Sequence, residues 1–289
     1  MDGPDEDRTE GFGREPEALA AARDLLGRAR SVLVLTGAGV SADSGVPTFR
    51  GEDGLWEGSR PEELATPEAF RRDPRRVWAW YGMRREAVSA CEPNAAHVAL
   101  ARWSAGGAPA VRIATQNVDG LHGRALARVT TGDADGGLPD GAGGAPASPG
   151  AVPPPPHPLE LHGSLFRTRC TGCGRRRAAS GPVDASSEGT LPRCGACGAL
   201  LRPDVVWFGE ALDAEMMEAA GRAAVSADAC LVVGTSAVVQ PAASLATVAA
   251  RSGAALVEVN PERTPLTPHA DVHLAGRAAR LVPELLDPA

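Results

Sequence analysis

Two cysteine pairs stand in the second half of the chain: Cys170-x2-Cys173, then 20 residues, then Cys194-x2-Cys197. Four thiolates at this spacing fill the tetrahedral shell of a zinc ion and leave no position for water or substrate, so the metal they suit is structural. A thioredoxin-like redox pair is the competing reading of one CxxC, and the presence of two favours zinc. Two further tripeptides, Leu121-His122-Gly123 and Leu161-His162-Gly163, each offer an imidazole that can accept a proton near neutral pH. The residues alone do not choose between them, and a satisfied hydrogen-bonding histidine is the bland reading of both. Residues 36–51 read TGAGVSADSGVPTFRG, in which Gly37, Gly39 and Ala42 fit the GxGxxG/A pattern that lets backbone approach a pyrophosphate. A hydride-transferring dehydrogenase would carry an acidic residue about twenty positions on, after a second strand. PTFRG and a tryptophan-containing loop follow instead, which disfavours that class. Tyr81 and Arg84, three residues apart, would share one face of a helix. Arg can receive a carboxylate through a bidentate fork and Tyr can add a hydrogen bond. The alternative places Tyr81 in a core with Trp78 and Trp80, and Arg84 on a solvated face with Arg85.

These residues need elements to hold them. Residues 16–30 are Ala/Leu-rich with Arg spaced along them and suit a helix, and SVLVLT (31–36) reads as a buried strand. Similar apolar runs recur at 111–117, 229–236 and 254–260, with an Ala-rich helical stretch at 242–251. Strands alternating with helices predict an α/β fold: a doubly wound, Rossmann-like parallel sheet covered on both faces. Residues 51–103 look helical and 167–202 carry the cysteines with little periodicity, so together they predict a second, smaller composite lobe. Residues 130–158 are a Gly/Pro-rich run with too few large apolar groups to offset the entropy of ordering it, and are expected to be a disordered insertion. His157 within it reads as a bystander.

Length and charge narrow the classes. The 289 residues can bury a large core with a smaller module attached. A net charge of −7 and a pI near 5.4 give no basic field, so direct nucleic-acid binding is not expected. The chain contains no lysine, so all 29 basic residues are Arg, a bias that by itself points to no function. The acidic start lacks the basic and apolar regions of a secretion signal, and no stretch is apolar enough to span a membrane. A soluble, cytoplasmic protein is expected. In that compartment Cys91 and Cys230 read as small apolar residues, not as a disulfide.

GAGVSADSGVPTFRG resembles the signature of the sirtuin (Sir2) family, and further motifs similar to that family follow in order. They are TQNVDGLH (115–122), ELHGSLFRTRC (160–170), the two CxxC pairs, RPDVVWFGE (202–210), GTSAVVQPAA (234–243) and VEVNPE (257–262). The resemblance covers nearly everything except the acidic tail and the Gly/Pro run. It implies NAD as co-substrate, one structural zinc and acyl-lysine proteins as partners. It also resolves the histidines, because the family's base lies in the ELHG before the first cysteine pair: His162 is the implied base and His122 a structural residue. The resemblance further implies that Gly37, Ala38, Gly39, Ser41 and Ala42 face the cofactor. Gln116, Asn117 and Asp119 would contact the nicotinamide riboside, with Asn117 and Asp119 in the nicotinamide pocket, and Phe49 and Arg50 would lie over the reacting centre. Gly234, Thr235, Ser236, Asn260, Pro261, Glu262 and Ala278 would hold the adenosine half. Val206, Gly209 and Glu210 would pair as an added strand with the substrate backbone.

The reaction so implied begins with attack of the acyl oxygen on the ribose carbon, which expels nicotinamide and leaves an alkylamidate. The histidine then deprotonates a ribose hydroxyl, which attacks that intermediate, and water finally releases free lysine and O-acyl-ADP-ribose. Tyr81-x-x-Arg84 resembles the class III subgroup that removes succinyl, malonyl and glutaryl groups. A desuccinylase/demalonylase with residual deacetylase activity is therefore expected. The alternatives are a plain deacetylase, an ADP-ribosyltransferase and a non-catalytic NAD or ADP-ribose sensor, the last opposed by intact His162, Asn117 and Asp119. Asp43 in place of the family's usual Glu, Val118 in place of Ile, and the long insertion are the departures. The domain layout expected is an acidic tail (1–13), an NAD-binding domain (14–50, 104–165 and 203–289), a helical module (51–103) and a zinc module (166–202).

Overall fold

The computed structural model describes residues 15–46, 61–132, 157–179 and 181–287. Phe49, Arg50, the tail and residues 133–156 of the expected insertion lie outside the described residues. Along the chain run α1 (Glu15–Arg28), β1 (Ser31–Thr36), α2 (Pro61–Leu64), α3 (Pro67–Arg72), α4 (Pro74–Ser89), α5 (Ala95–Ala105), β2 (Ala110–Thr115) and α6 (Leu121–Thr131). After these come β3 (Leu159–Glu160), β4 (Gly163–Cys170), β5 (Arg176–Ala178), β6 (Leu201–Val205), α7 (Ala214–Ser226), β7 (Ala229–Val233), α8 (Ser244–Arg251), β8 (Ala255–Val259), β9 (Val272–Leu274) and α9 (Ala278–Leu286).

Six strands form one parallel sheet in the order β3-β2-β1-β7-β8-β9. The apolar runs are near-continuous because both faces are covered. In β1, Val32 and Val34 enter one core with α1, α5 and α9, while Leu33 and Leu35 enter the opposite core with α7 and α8. The strand order reverses between β1 and β7, which opens a crevice beyond their C-terminal ends, the usual ligand position of such sheets.

A second lobe consists of the antiparallel sheet β5-β4-β6 and helices α2–α4. Asp73 caps α4 by accepting from the Arg76 N–H, with Pro74 in the first turn. That helix is tied to the sheet by polar bonds as well as packing. The Trp78 indole donates to the Leu201 carbonyl at 3.0 Å and Arg85 Nε to the Leu165 carbonyl at 2.8 Å. Cys170 and Cys194 share the same apolar core as Trp78 and Phe70.

Two boundaries differ from the sequence reading. Helix α5, assigned to the helical module up to residue 103, buries Ala96, Ala99 and Leu100 in the core of the large sheet. An Asn94–His97 capping box starts it, and its apolar face fits the large sheet. Thr130 and Thr131 complete α6 instead of opening the insertion, and His157 is half-buried ahead of β3, with burial pushing its imidazole down to about 4. Guanidinium groups form many of the ties between elements, including Arg167 to Glu160 and Asp204, Arg176 to Asp204 and Asp213, and Arg277 to Asp43. Among the described residues no helix is long and apolar enough to cross a membrane.

Candidate active site

Loops leaving the C-terminal ends of β1, β2, β7 and β8 meet in the crevice. Gly37–Ala42 follows β1, Gln116–Asp119 follows β2, Gly234–Ser236 follows β7 and Asn260–Glu262 follows β8. The first and third loops touch backbone to backbone. A Cβ on Gly39 would lie 2.8 Å from the Gly234 Cα, and Gly234, at φ 58°, leaves only 2.4 Å for a Cβ against the Val40 nitrogen. The glycines therefore set how closely two of the loops approach. Side chains complete the weave: Gln116 Nε2 donates to Thr235 Oγ1 at 3.0 Å, and Asn260 Nδ2 to the Thr235 carbonyl at 2.8 Å. Ala278 is buried at the start of α9, in the same core as Val40 of the turn at Ala38–Val40.

Asn117 and Asp119 are buried beneath this weave. Asn117 Nδ2 donates to the Gly37 carbonyl (3.1 Å) and to Ser41 Oγ (3.0 Å), and Ser41 Oγ donates to Asp119 Oδ2 at 2.7 Å. Ser41 is thus a fully buried hub of the polar network, on the wall of the cleft that Asn117 and Asp119 also line. Burial raises the Asp119 carboxyl above its ordinary range, against the bonds from the Leu121 N–H and Ser41 that lower it. His97 and His122 pack ring to ring behind this network, 4.8 Å between centroids. His97 meets Ser41 Oγ at 3.3 Å, and His122, itself buried, meets Thr36 Oγ1 at 2.9 Å. The sequence reading did not single out His97; the signal was the histidine three residues after Asn94, able to cap backward and reach the Gly loop.

His162 occupies the turn between β3 and β4. Its Nδ1 lies 3.0 Å from the Gln116 carbonyl oxygen. A carbonyl can only accept, so Nδ1 carries the proton and Nε2 keeps its lone pair as a base. Burial holds the imidazole below its ordinary pKa, opposed by the bond to Gln116, so it is neutral at working pH. The following Gly163 is obligatory: φ is +81°, and a Cβ would meet the Asp204 carbonyl oxygen at 2.0 Å.

Arg84, 8% exposed, opens from α4 onto a cleft also lined by Ser41, Asn117 and Asp119. Tyr81, one turn earlier and 1% exposed, stands behind that lining, with Trp207 Nε1 donating to its hydroxyl at 2.8 Å. Trp207 was absent from the residues expected at the site; a buried indole N–H in need of a partner was the available signal. Val206, Gly209 and Glu210 follow β6. The Val206 N–H donates to the His162 carbonyl at 2.9 Å, linking this run to the base. The Glu210 carboxylate is engaged internally by Arg202, Arg169 and the Trp207 N–H, so its side chain braces the run.

In the small lobe the Sγ atoms of Cys170, Cys173, Cys194 and Cys197 lie within 4.8 Å of one another, with Cys170–Cys197 at 3.4 Å and Cys173–Cys194 at 3.8 Å. Tetrahedral zinc with bonds of about 2.3 Å separates its sulfurs by roughly 3.8 Å, so the cluster fits the ion. Cys170 also accepts from the Cys173 and Gly172 N–H groups, which pull its thiol down to about 6 and favour the thiolate a metal requires. Cys230, buried in the large core, has its thiol pushed up to about 12.

The chain matches the Sir2 family model over residues 37–133 and 156–241. It is 46% identical over 265 residues to the NAD-dependent protein deacylase 2 of Pyrobaculum aerophilum, covering 91% of this chain and 93% of that one. With the NAD-dependent protein deacylase of Thermococcus kodakarensis it shares 46% identity over 271 residues, 93% and 94% of the two chains. The solved Sir2 homolog–NAD complex superimposes with a TM-score of 0.76 at 41% identity, over 96% of this chain and 95% of that one. A Sir2–p53 peptide–NAD+ complex does so at 0.71 and 28% identity, over 91% and 95%. With a reversing parallel sheet, a glycine-packed crevice and a four-thiolate cluster now matched across most of its length, the chain belongs to the Sir2 family.

Proposed function

We propose that this chain is an NAD-dependent protein lysine deacylase that releases nicotinamide and O-acyl-ADP-ribose, and that it prefers the acidic acyl groups succinyl and malonyl. The relatives named above carry the first half of this reading. One observation carries the second: Arg84, a guanidinium on a buried helix face, opens onto the cleft that Asn117 and Asp119 line. NAD supplies the ribose carbon that receives the acyl oxygen as nicotinamide leaves. The chain's own residues then have distinct duties. Loops 37–42 and 234–236 hold the dinucleotide, Asn117 and Asp119 form the nicotinamide pocket, and His162 Nε2 takes a proton from a ribose hydroxyl. Residues 206–210 bind the substrate backbone, and Arg84 with Tyr81 receives the acyl carboxylate.

The deep burial of Tyr81 favours a second reading, a deacetylase in which Tyr81 only packs. Incubating succinyl-, malonyl- and acetyl-lysine peptides with the protein and NAD, with product masses recorded and His162→Ala as control, distinguishes the two. Arg84→Met is expected to cost the succinyl substrate about 1.5–3 kcal/mol in kcat/KM, the range for hydrogen bonds to a charged group. Acetyl turnover should be spared or improved. Equal losses on both substrates overturn the acidic-acyl preference.

A further inference from the structure

Trp207 is held from every side. It is 2% exposed; its backbone N–H donates to Glu210 Oε2 at 2.9 Å, the Arg202 guanidinium lies 3.3 Å from its ring centroid, and the Phe70 ring packs at 5.4 Å. Arg202 is fixed in turn by two bonds to the Glu210 carboxylate and one to the Val205 carbonyl at 2.7 Å. An indole clamped in this way cannot turn its N–H elsewhere. An indole nitrogen is a donor only, and when buried it needs an acceptor. The acceptor is the Tyr81 hydroxyl, 2.8 Å away.

We propose that Trp207 is a positioning residue for acidic acyl groups, acting through the Tyr81 hydroxyl that it fixes and polarises as a hydrogen-bond donor. This rests on the acidic-acyl reading above. A phenol oxygen that accepts from Trp207 still has its one hydrogen to give, and accepting strengthens that donation. Burial, the larger influence, keeps the Tyr81 phenol protonated, so it meets a carboxylate as a donor. The terminal carboxylate of a succinyl or malonyl group can accept this hydrogen; the methyl of an acetyl group cannot. Trp207 also sits inside the run 206–210 assigned to the substrate backbone. One side chain therefore ties the register of the bound peptide to the depth at which its acyl tail is received.

Trp207→Phe removes the N–H but leaves a void, so the decisive variant replaces the indole with 3-benzothienylalanine, in which sulfur stands for Nε1–H at nearly unchanged shape. The readout is the ratio of kcat/KM for a succinyl-lysine peptide to that for the matching acetyl-lysine peptide. Losing one neutral hydrogen bond predicts a fall in that ratio of about fivefold to tenfold, expressed mainly in the succinyl KM. A generic packing defect would lower both substrates together and leave the ratio alone. Tyr81 is the only tyrosine in the chain, so 13Cζ-labelled tyrosine gives a single resonance. That resonance is expected to move when succinyl-lysine peptide is added to the wild type, and to move less in the sulfur variant. A wild-type preference for succinyl that the sulfur variant retains overturns this inference alone. A wild type with no succinyl preference overturns the acidic-acyl reading and this inference with it.

Discussion

At the scale of single residues, tautomer and burial govern the chemistry. His162 gives its Nδ1 proton to the Gln116 carbonyl and is depressed by burial. Its neutral form therefore persists below the ordinary histidine pKa of 6.5. The acid limb of kcat/KM should have its midpoint under that value, with activity lost as pH falls through it, and a midpoint above it would contradict the assignment. His162→Ala should cost deacylation roughly 10²–10⁴-fold, the usual worth of a positioned general base. His97 bears on stability instead. Burial depresses it to about 4, so it is neutral when folded, whereas the unfolded chain binds its proton near 6.5. The contribution is fully present above 6.5 and is lost as pH falls toward 4. Between pH 7 and 5 His97 should lower unfolding stability by about 2 kcal/mol, and urea melts of His97→Gln should show a shallower dependence.

At the scale of elements, turns and close approaches position the site. Gly163→Ala would force a Cβ into the Asp204 carbonyl at a left-handed φ, separating β4 from β6 next to the base. A loss on the order of 3–5 kcal/mol is expected, read from denaturant midpoints, with deacylation falling alongside. Much of this level was legible in the sequence. The run 31–36 is a strand over the expected residues because Val32–Leu35 is continuously apolar. Gly37 and Gly39 were expected to let backbone approach a pyrophosphate, and the structure shows in addition that nothing larger fits there against Gly234 and Thr235. The legible signals were local. The partner of α5 was not, because an Ala-rich face suits either lobe and only the three-dimensional arrangement chooses the large sheet. Nor was the pairing of Tyr81 with Trp207, which lie 126 positions apart. The Gly/Pro run gave its composition away but not its ends, since Thr130 and Thr131 are compatible with a last helical turn.

At the scale of the whole molecule, the two lobes depend on different supports. The large lobe buries both faces of its sheet, whereas the small lobe has one core in which Cys170 and Cys194 pack with Trp78, Tyr81 and Trp207. Stripping zinc should therefore loosen the acyl-side wall before the dinucleotide crevice. Chelation, or Cys173→Ser, is expected to lower the first thermal midpoint by about 10 °C or more and to shift tryptophan emission, with ADP-ribose binding by calorimetry retained. Simultaneous loss of ADP-ribose binding would contradict this division. The guanidinium ties between elements carry one more consequence. Because the chain has no lysine, it presents no side-chain amine, and guanidinium stays protonated and non-nucleophilic at any physiological pH. Reactive acyl thioesters, which acylate lysine without any enzyme, find no side-chain amine on this molecule to acylate. Apart from its chain-terminal amine, a protein built this way is chemically immune to the modification it is proposed to erase.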